Sequence, residues 1–196
     1  MASKVNTVQS IIQDAQQAQY APVYFLMGEE PYYIDMICDY LLSHILSDDQ
    51  KEFDQMVYYG KDFERGAASI FTAARQYPMM SPYQVIAIKE AQLIKNLEED
   101  LAVYYQHPTP TTILIICYKG KKLEQTAVVF ESKAVRDYEM HAWIEQEVRA
   151  RHFRIDQKAC SMLVDYLGTD LSRVASELDK LSIVLQGKSS DITPEV

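Results

Sequence analysis

Cysteine, basic charge and long apolar runs are all scarce in this 196-residue chain. Its three cysteines, Cys38, Cys117 and Cys160, stand isolated and odd in number, which fits free thiols in a reducing cytoplasm rather than a disulfide framework. The longest unbroken apolar run is Ile113–Cys117, far short of the roughly 20 residues that span a bilayer. The opening Met1-Ala2-Ser3-Lys4-Val5 holds no apolar signal core, and residue 2 is not the glycine that myristoylation requires. Lys and Arg number 19 against 28 Asp and Glu, a net charge of −9. A protein that holds nucleic acid alone needs a basic face to release counterions, so that class is disfavoured. The expectation is a cytoplasmic protein with no membrane association.

What remains is ordinary globular material, 48% hydrophobic and 24% charged. This length suits one domain, or one with a small appendage, and buries about 70% of the unfolded surface without a disulfide or metal staple. The first two-thirds alternate strand and helix signals. Val23–Met27 is a buried strand stopped by Gly28, and residues 32–46 place Tyr33, Ile34, Ile37, Leu41, Leu42 and Ile45 at helical spacing. A strand over 53–59, a helix over 63–75, a strand over 83–88, a helix over about 96–106 and a strand over 111–117 follow. Ala134–Tyr138 reads as a short fifth strand. Alternation at this spacing predicts an α/β fold, a parallel sheet covered by helices on both faces.

After Glu139 three helical patterns, 141–152, 156–167 and 170–186, follow with no strand between them. Gly168 supplies a stop, and Thr169 or Asp170 the next cap. The division is therefore 1–139, an α/β domain, and 140–196, a small helical module. In Ile192-Thr193-Pro194-Glu195-Val196, Thr suits an N-cap, Pro the first helical position and Glu the first turn. That predicts a helix starting there and a further C-terminal region beyond it.

The turn after the first strand is where a mononucleotide-binding α/β protein keeps its phosphate loop. Such a loop needs several glycines, a Lys for the terminal phosphates and a Ser or Thr for magnesium. Here Gly28-Glu29-Glu30-Pro31-Tyr32-Tyr33 offers one glycine, two repelling carboxylates and a proline without an N–H. Glu29 and Glu30 instead suit a helix N-terminus. No cofactor and no catalytic residue are expected. His44, His107, His141 and His152 lack metal-ligand spacing, and His141 with Glu145 reads as an exposed helix face. The one basic cluster, Lys119-Gly120-Lys121-Lys122, is either a solvated loop or a contact to phosphate or an acidic partner.

Tyr77-Pro78-Met79-Met80-Ser81-Pro82-Tyr83 stands apart, because two prolines bracket two methionines and no regular element can run through them. Either both methionines pack under the loop, or a stiff loop presents them to a partner, a use that suits their flexible, polarisable side chains.

The strand leading into Gly28-Glu29-Glu30-Pro31-Tyr32, the run Tyr166–Leu171 through Glu177–Leu181, and the closing Ile192–Val196 together resemble the delta subunits of the bacterial DNA polymerase III clamp loader. The likeness covers nearly the whole chain. It implies a degenerate AAA+ module, with a RecA-like domain I lacking a working phosphate loop and a helical lid as domain II. Leu171 stands where active relatives carry a phosphate-sensing Arg, Arg173 lies two further on, and no arginine-finger motif occurs. The family implies no catalysis in this chain itself, only membership of a polymerase holoenzyme. Implied partners are the sliding clamp (beta subunit), the gamma/tau and delta-prime subunits, and primed DNA only within the assembled complex. The implied clamp contact is a hydrophobic pair before the third strand, which falls on Met79 and Met80 framed by Tyr77, Pro78 and Tyr83. Two methionines there depart from the Leu–Phe type of pair. The rivals are a diverged AAA+ ATPase or nucleotide kinase, another noncatalytic AAA+ scaffold, and a free-standing DNA-binding module.

Overall fold

The computed structural model describes residues 6–63, 66–120, 128–187 and 189–195. Two compact units divide the chain, Met1–Lys133 and Ala134–Val196.

In the first unit, strands β1 (Val23–Gly28), β2 (Gln55–Tyr59), β3 (Gln84–Lys89), β4 (Thr112–Lys119) and β5 (Val128–Ser132) form one sheet in the order β2-β3-β4-β1-β5. Every neighbouring pair is parallel. The helices are α1 (Val8–Gln16), α2 (Pro31–His44), α3 (Asp48–Asp54), α4 (Ala68–Ala73) and α5 (Leu97–Gln106). Strand residues alternate between two cores. Tyr24, Leu26, Val85, Ala87, Ile113 and Ile115 meet Ile11 of α1 and Ile34, Ile37 and Leu41 of α2. Phe25, Met27, Ile86, Ile88, Leu114 and Ile116 meet Ile70 and Phe71 of α4 and Leu101 and Tyr104 of α5. Burial on both faces is why these strands read as unbroken apolar runs, and each such side chain contributes roughly 1.5–3 kcal/mol relative to exposure.

Three expectations for this unit need correction. The fifth strand is Val128–Ser132, not Ala134–Tyr138, because parallel pairing with β1 sets Tyr24 opposite Val128 and Met27 opposite Glu131. Residues 133–136 are irregular. The strand expected from Phe53 begins at Gln55, because the Ser47 N–H donates to Gln50 Oε1 at 3.1 Å and a capping box starts α3 instead. The helix expected over 63–75 is only Ala68–Ala73, preceded by a 3₁₀ turn over Gly60–Phe63 and by Gly66 at φ +142°. Helix α1, capped reciprocally by Thr7 and Ser10, lies ahead of the expected elements.

The second unit holds α6 (Met140–Ala150), α7 (Gln157–Leu167) and α8 (Leu171–Leu185). Asp156 caps α7 through the Lys158 N–H at 2.7 Å, Gly168 ends it at φ +66°, and Asp170 caps α8 through the Arg173 N–H at 3.1 Å. Arg151 joins α6 to α8, reaching Glu147 at 2.7 Å and Asp179 at 2.8 Å. Burial opposes its charge, but the two carboxylates outweigh burial and raise its pKa. Strands do occur here, against expectation: β6 (Arg154–Ile155) pairs in parallel with β7 (Asp191–Ile192). Residues 194–195 form a turn.

Candidate partner-binding site

The segment between α4 and β3 runs over the N-terminal end of the sheet, because β3 starts there. Both ends are anchored. On one side the Arg75 guanidinium lies 5.2 Å from the centre of the Tyr104 ring and donates to the His107 carbonyl at 3.2 Å. On the other, the Tyr83 ring meets Tyr20 edge-on at 5.6 Å. Pro78 and Pro82 have no N–H, so Met79, Met80 and Ser81 carry the donors between them. All three are taken by one carboxylate. Asp54, at the end of α3, accepts from the Met79 N–H on Oδ1 and from the Met80 and Ser81 N–H groups on Oδ2, both at 2.8 Å.

Asp54 is only 1% exposed. Its burial opposes ionisation, but the backbone donors of Met79, Met80 and Ser81 outweigh burial and hold the carboxyl below the usual carboxylate range. With the N–H groups turned inward, the side chains turn outward: Met79 is 77% exposed, Met80 61% and Tyr77 80%. Pro78 is half-buried. Tyr83 is half-buried and packs on the core, with its ring against Tyr20. The result is a rigid loop with an exposed apolar tip, suited to filling a pocket on another molecule.

The turn at the opposite, C-terminal end of β1 is closed on itself. The Glu29 N–H donates to the Ser132 carbonyl at 3.3 Å, and the Glu30 N–H to the Ser132 hydroxyl at 3.2 Å. Glu30 caps α2 by accepting from the Tyr32 N–H at 3.1 Å, with Pro31 at the first helical position. Gly28 sits at φ +134°, where a Cβ would collide with the Ser132 backbone and hydroxyl. The N–H groups a phosphate would need are thus spent inside the protein. Lys119 pairs with Asp35 at 2.9 Å, while Lys121 and Lys122 lie outside the described residues.

A family model described as DNA polymerase III, delta subunit, matches residues 24–135, more than half of the chain. The chain belongs to that family. The matched span includes the closed turn, the methionine loop, Asp54 and Ser132, and leaves most of the second unit outside. Among solved structures, the DNA clamp loader delta protein of Bacillus subtilis superposes with a TM-score of 0.73 at 20% identity over 95% of this chain. A DNA polymerase III gamma subunit-related protein of Thermotoga maritima gives 0.55 at 11% identity over 93%. Both likenesses speak to the fold alone, an α/β architecture. This chain covers 60% of the length of each of those two proteins. No curated protein sequence matches significantly.

In this delta-family chain the residues that hold both features were not readable locally. Asp54 lies 25 residues before Met79, and Ser132 lies 102 residues after Glu30. The available signals were separate: a polar residue, Asp54, set between apolar Phe53 and the strand, and, 25 residues later, a loop whose donors had no element to pair with. The position after Gly168 that the family resemblance singles out, Leu171, is buried at the start of α8, and Arg173 is exposed. His141 Nε2 lies 3.3 Å from the Ser161 hydroxyl, and no group of potential metal ligands occurs among the described residues. No helix among them is long and apolar enough to cross a membrane.

Proposed function

We propose that this chain is a noncatalytic, cytoplasmic clamp-loader subunit that binds the sliding clamp (beta subunit) and opens it during DNA replication, with Met79 and Met80 as the anchor. The observation that carries the reading is the exposed methionine pair on a loop locked from below by Asp54. The family match and the delta-type fold support it. The other partners are the gamma/tau and delta-prime subunits, with primed DNA met only in the assembled loader. Residues 1–139 serve as the RecA-like domain I and residues 140–196 as the helical domain II.

The mechanism is a shift of population. A ring opens only when its ligand binds the open form more tightly than the closed one. The methionines fix the subunit on the clamp, and a neighbouring surface of domain I presses where the open interface fits and the closed one does not. No fuel is handled here: the turn after β1 spends its donors on Ser132, so ATP belongs to other subunits. Titration of the chain with its cognate clamp, alongside an assay of clamp unloading from circular DNA, tests this. Binding and unloading by the wild type are expected. Failure to bind the clamp overturns the proposal.

A further inference from the structure

We propose, on the reading that the methionine loop grips the clamp, that Asp54 is the positioning residue of that grip, holding the loop in its binding shape before the partner arrives. Three consecutive N–H groups converge on one buried carboxylate, in the manner of a backbone nest closing on an anion. Between Pro78 and Pro82 no other backbone donor exists. Asp54 therefore fixes the whole tip through its backbone, and the outward direction of both methionines follows from the inward direction of their amides.

The arrangement is an unusual use of a buried acid. Asp54 makes no ion pair among the described residues, and three successive backbone amides of the loop donate to it. A carboxylate accepting charge-assisted bonds holds them shorter and more firmly than a neutral acceptor would. Without it, residues 79–81 exchange among conformers, and the clamp must select the competent one. Ordering even one residue's backbone costs about a tenfold factor in affinity, so loss of the acceptor weakens the clamp contact by at least about tenfold with both methionines intact.

Asp54→Asn tests this, because the amide keeps the size and turns an NH₂ group toward the amides it formerly accepted from. Backbone hydrogen exchange of Met79, Met80 and Ser81 in the free chain should rise about tenfold or more, with the β3 and β4 amides unchanged. Clamp affinity should fall, and fall less in a Met79→Ala background, because the lost positioning then acts on a weakened anchor. A merely structural role would cost the same in both backgrounds. Equal costs, or unchanged exchange at 79–81, overturns the assignment of Asp54 alone. A wild-type chain that ignores the clamp overturns the grip itself. If Asp54→Asn does not fold, the wild type decides: protected amides at 79–81 beneath exposed side chains support the role, and exchange at the open-chain rate overturns it.

Discussion

Replacing Met79 and Met80 together by serine removes the exposed tip and leaves its support in place. In the free chain Met79 is 77% and Met80 61% exposed, so well over one full methionine side chain remains to be buried by a partner. At about 1.5–3 kcal/mol per fully buried methionine, that is roughly 2–4 kcal/mol. Dividing by 1.4 kcal/mol per decade gives a loss of roughly 30- to several hundred-fold in clamp affinity. The fold should not notice, because exposed substitutions fall within about 0.5 kcal/mol and the Asp54 bonds are to backbone amides. Titration of wild type and variant with the cognate clamp, with thermal melts of both, reads the two quantities separately. Unchanged affinity refutes the reasoning. So does a lost affinity accompanied by a collapsed melting temperature, which would mean that the side chains were supporting the core.

Other expectations follow from the same geometry. Gly28→Ala should destabilise the first unit by about 2–4 kcal/mol, since a Cβ there meets Ser132 at an unfavourable φ; the urea midpoint should fall with the slope unchanged. Equilibrium dialysis with labelled ATP should show no retention by the chain, because the Glu29 and Glu30 amides are already bonded to Ser132. The Asp54 pKa is depressed in the folded state, so its contribution is fully present above the unfolded value near 3.9. It is lost as pH falls through the lower folded value, so the protection of the loop amides, measured against the open-chain exchange rate at each pH, should stay flat from neutral pH to about 4 and fall only below. All three thiols are buried, with Cys117 pushed well up by its hydrogen bond with Cys38 and by burial, and Cys160 pushed up by burial and by Glu145. A thiol-reactive disulfide reagent should therefore find no fast-reacting cysteine until the chain is denatured.

The strands were legible because parallel strands buried on both faces carry continuous apolar runs, as Val23–Met27 and Ile113–Cys117 do. Ala134–Tyr138 misled for the converse reason: a brief alternation mimics an edge strand, while the true neighbour of β1 is Val128–Ser132. Phe53 was drawn into a strand because its helix α3 is only seven residues long and shows its apolar side chain half exposed. The methionine loop was legible from its bracketing prolines, which forbid regular structure whatever the tertiary context. Its exposure was not, because that depends on a carboxylate 25 residues earlier. Tyr83 follows the same rule: nothing near it in sequence tells that Tyr20 draws it inward. The unfitness of the phosphate turn was readable from its composition, but its closure required Ser132, which the fold alone brings beside Gly28.

The most direct measurement uses the chain's own eight methionines as reporters. With ¹³C-methyl methionine incorporated, addition of the cognate clamp should shift or broaden the Met79 and Met80 methyl signals at substoichiometric ratios. The signals of Met27 and Met140, both buried, should stay where they are. Undisturbed Met79 and Met80 signals at saturating clamp would contradict the account.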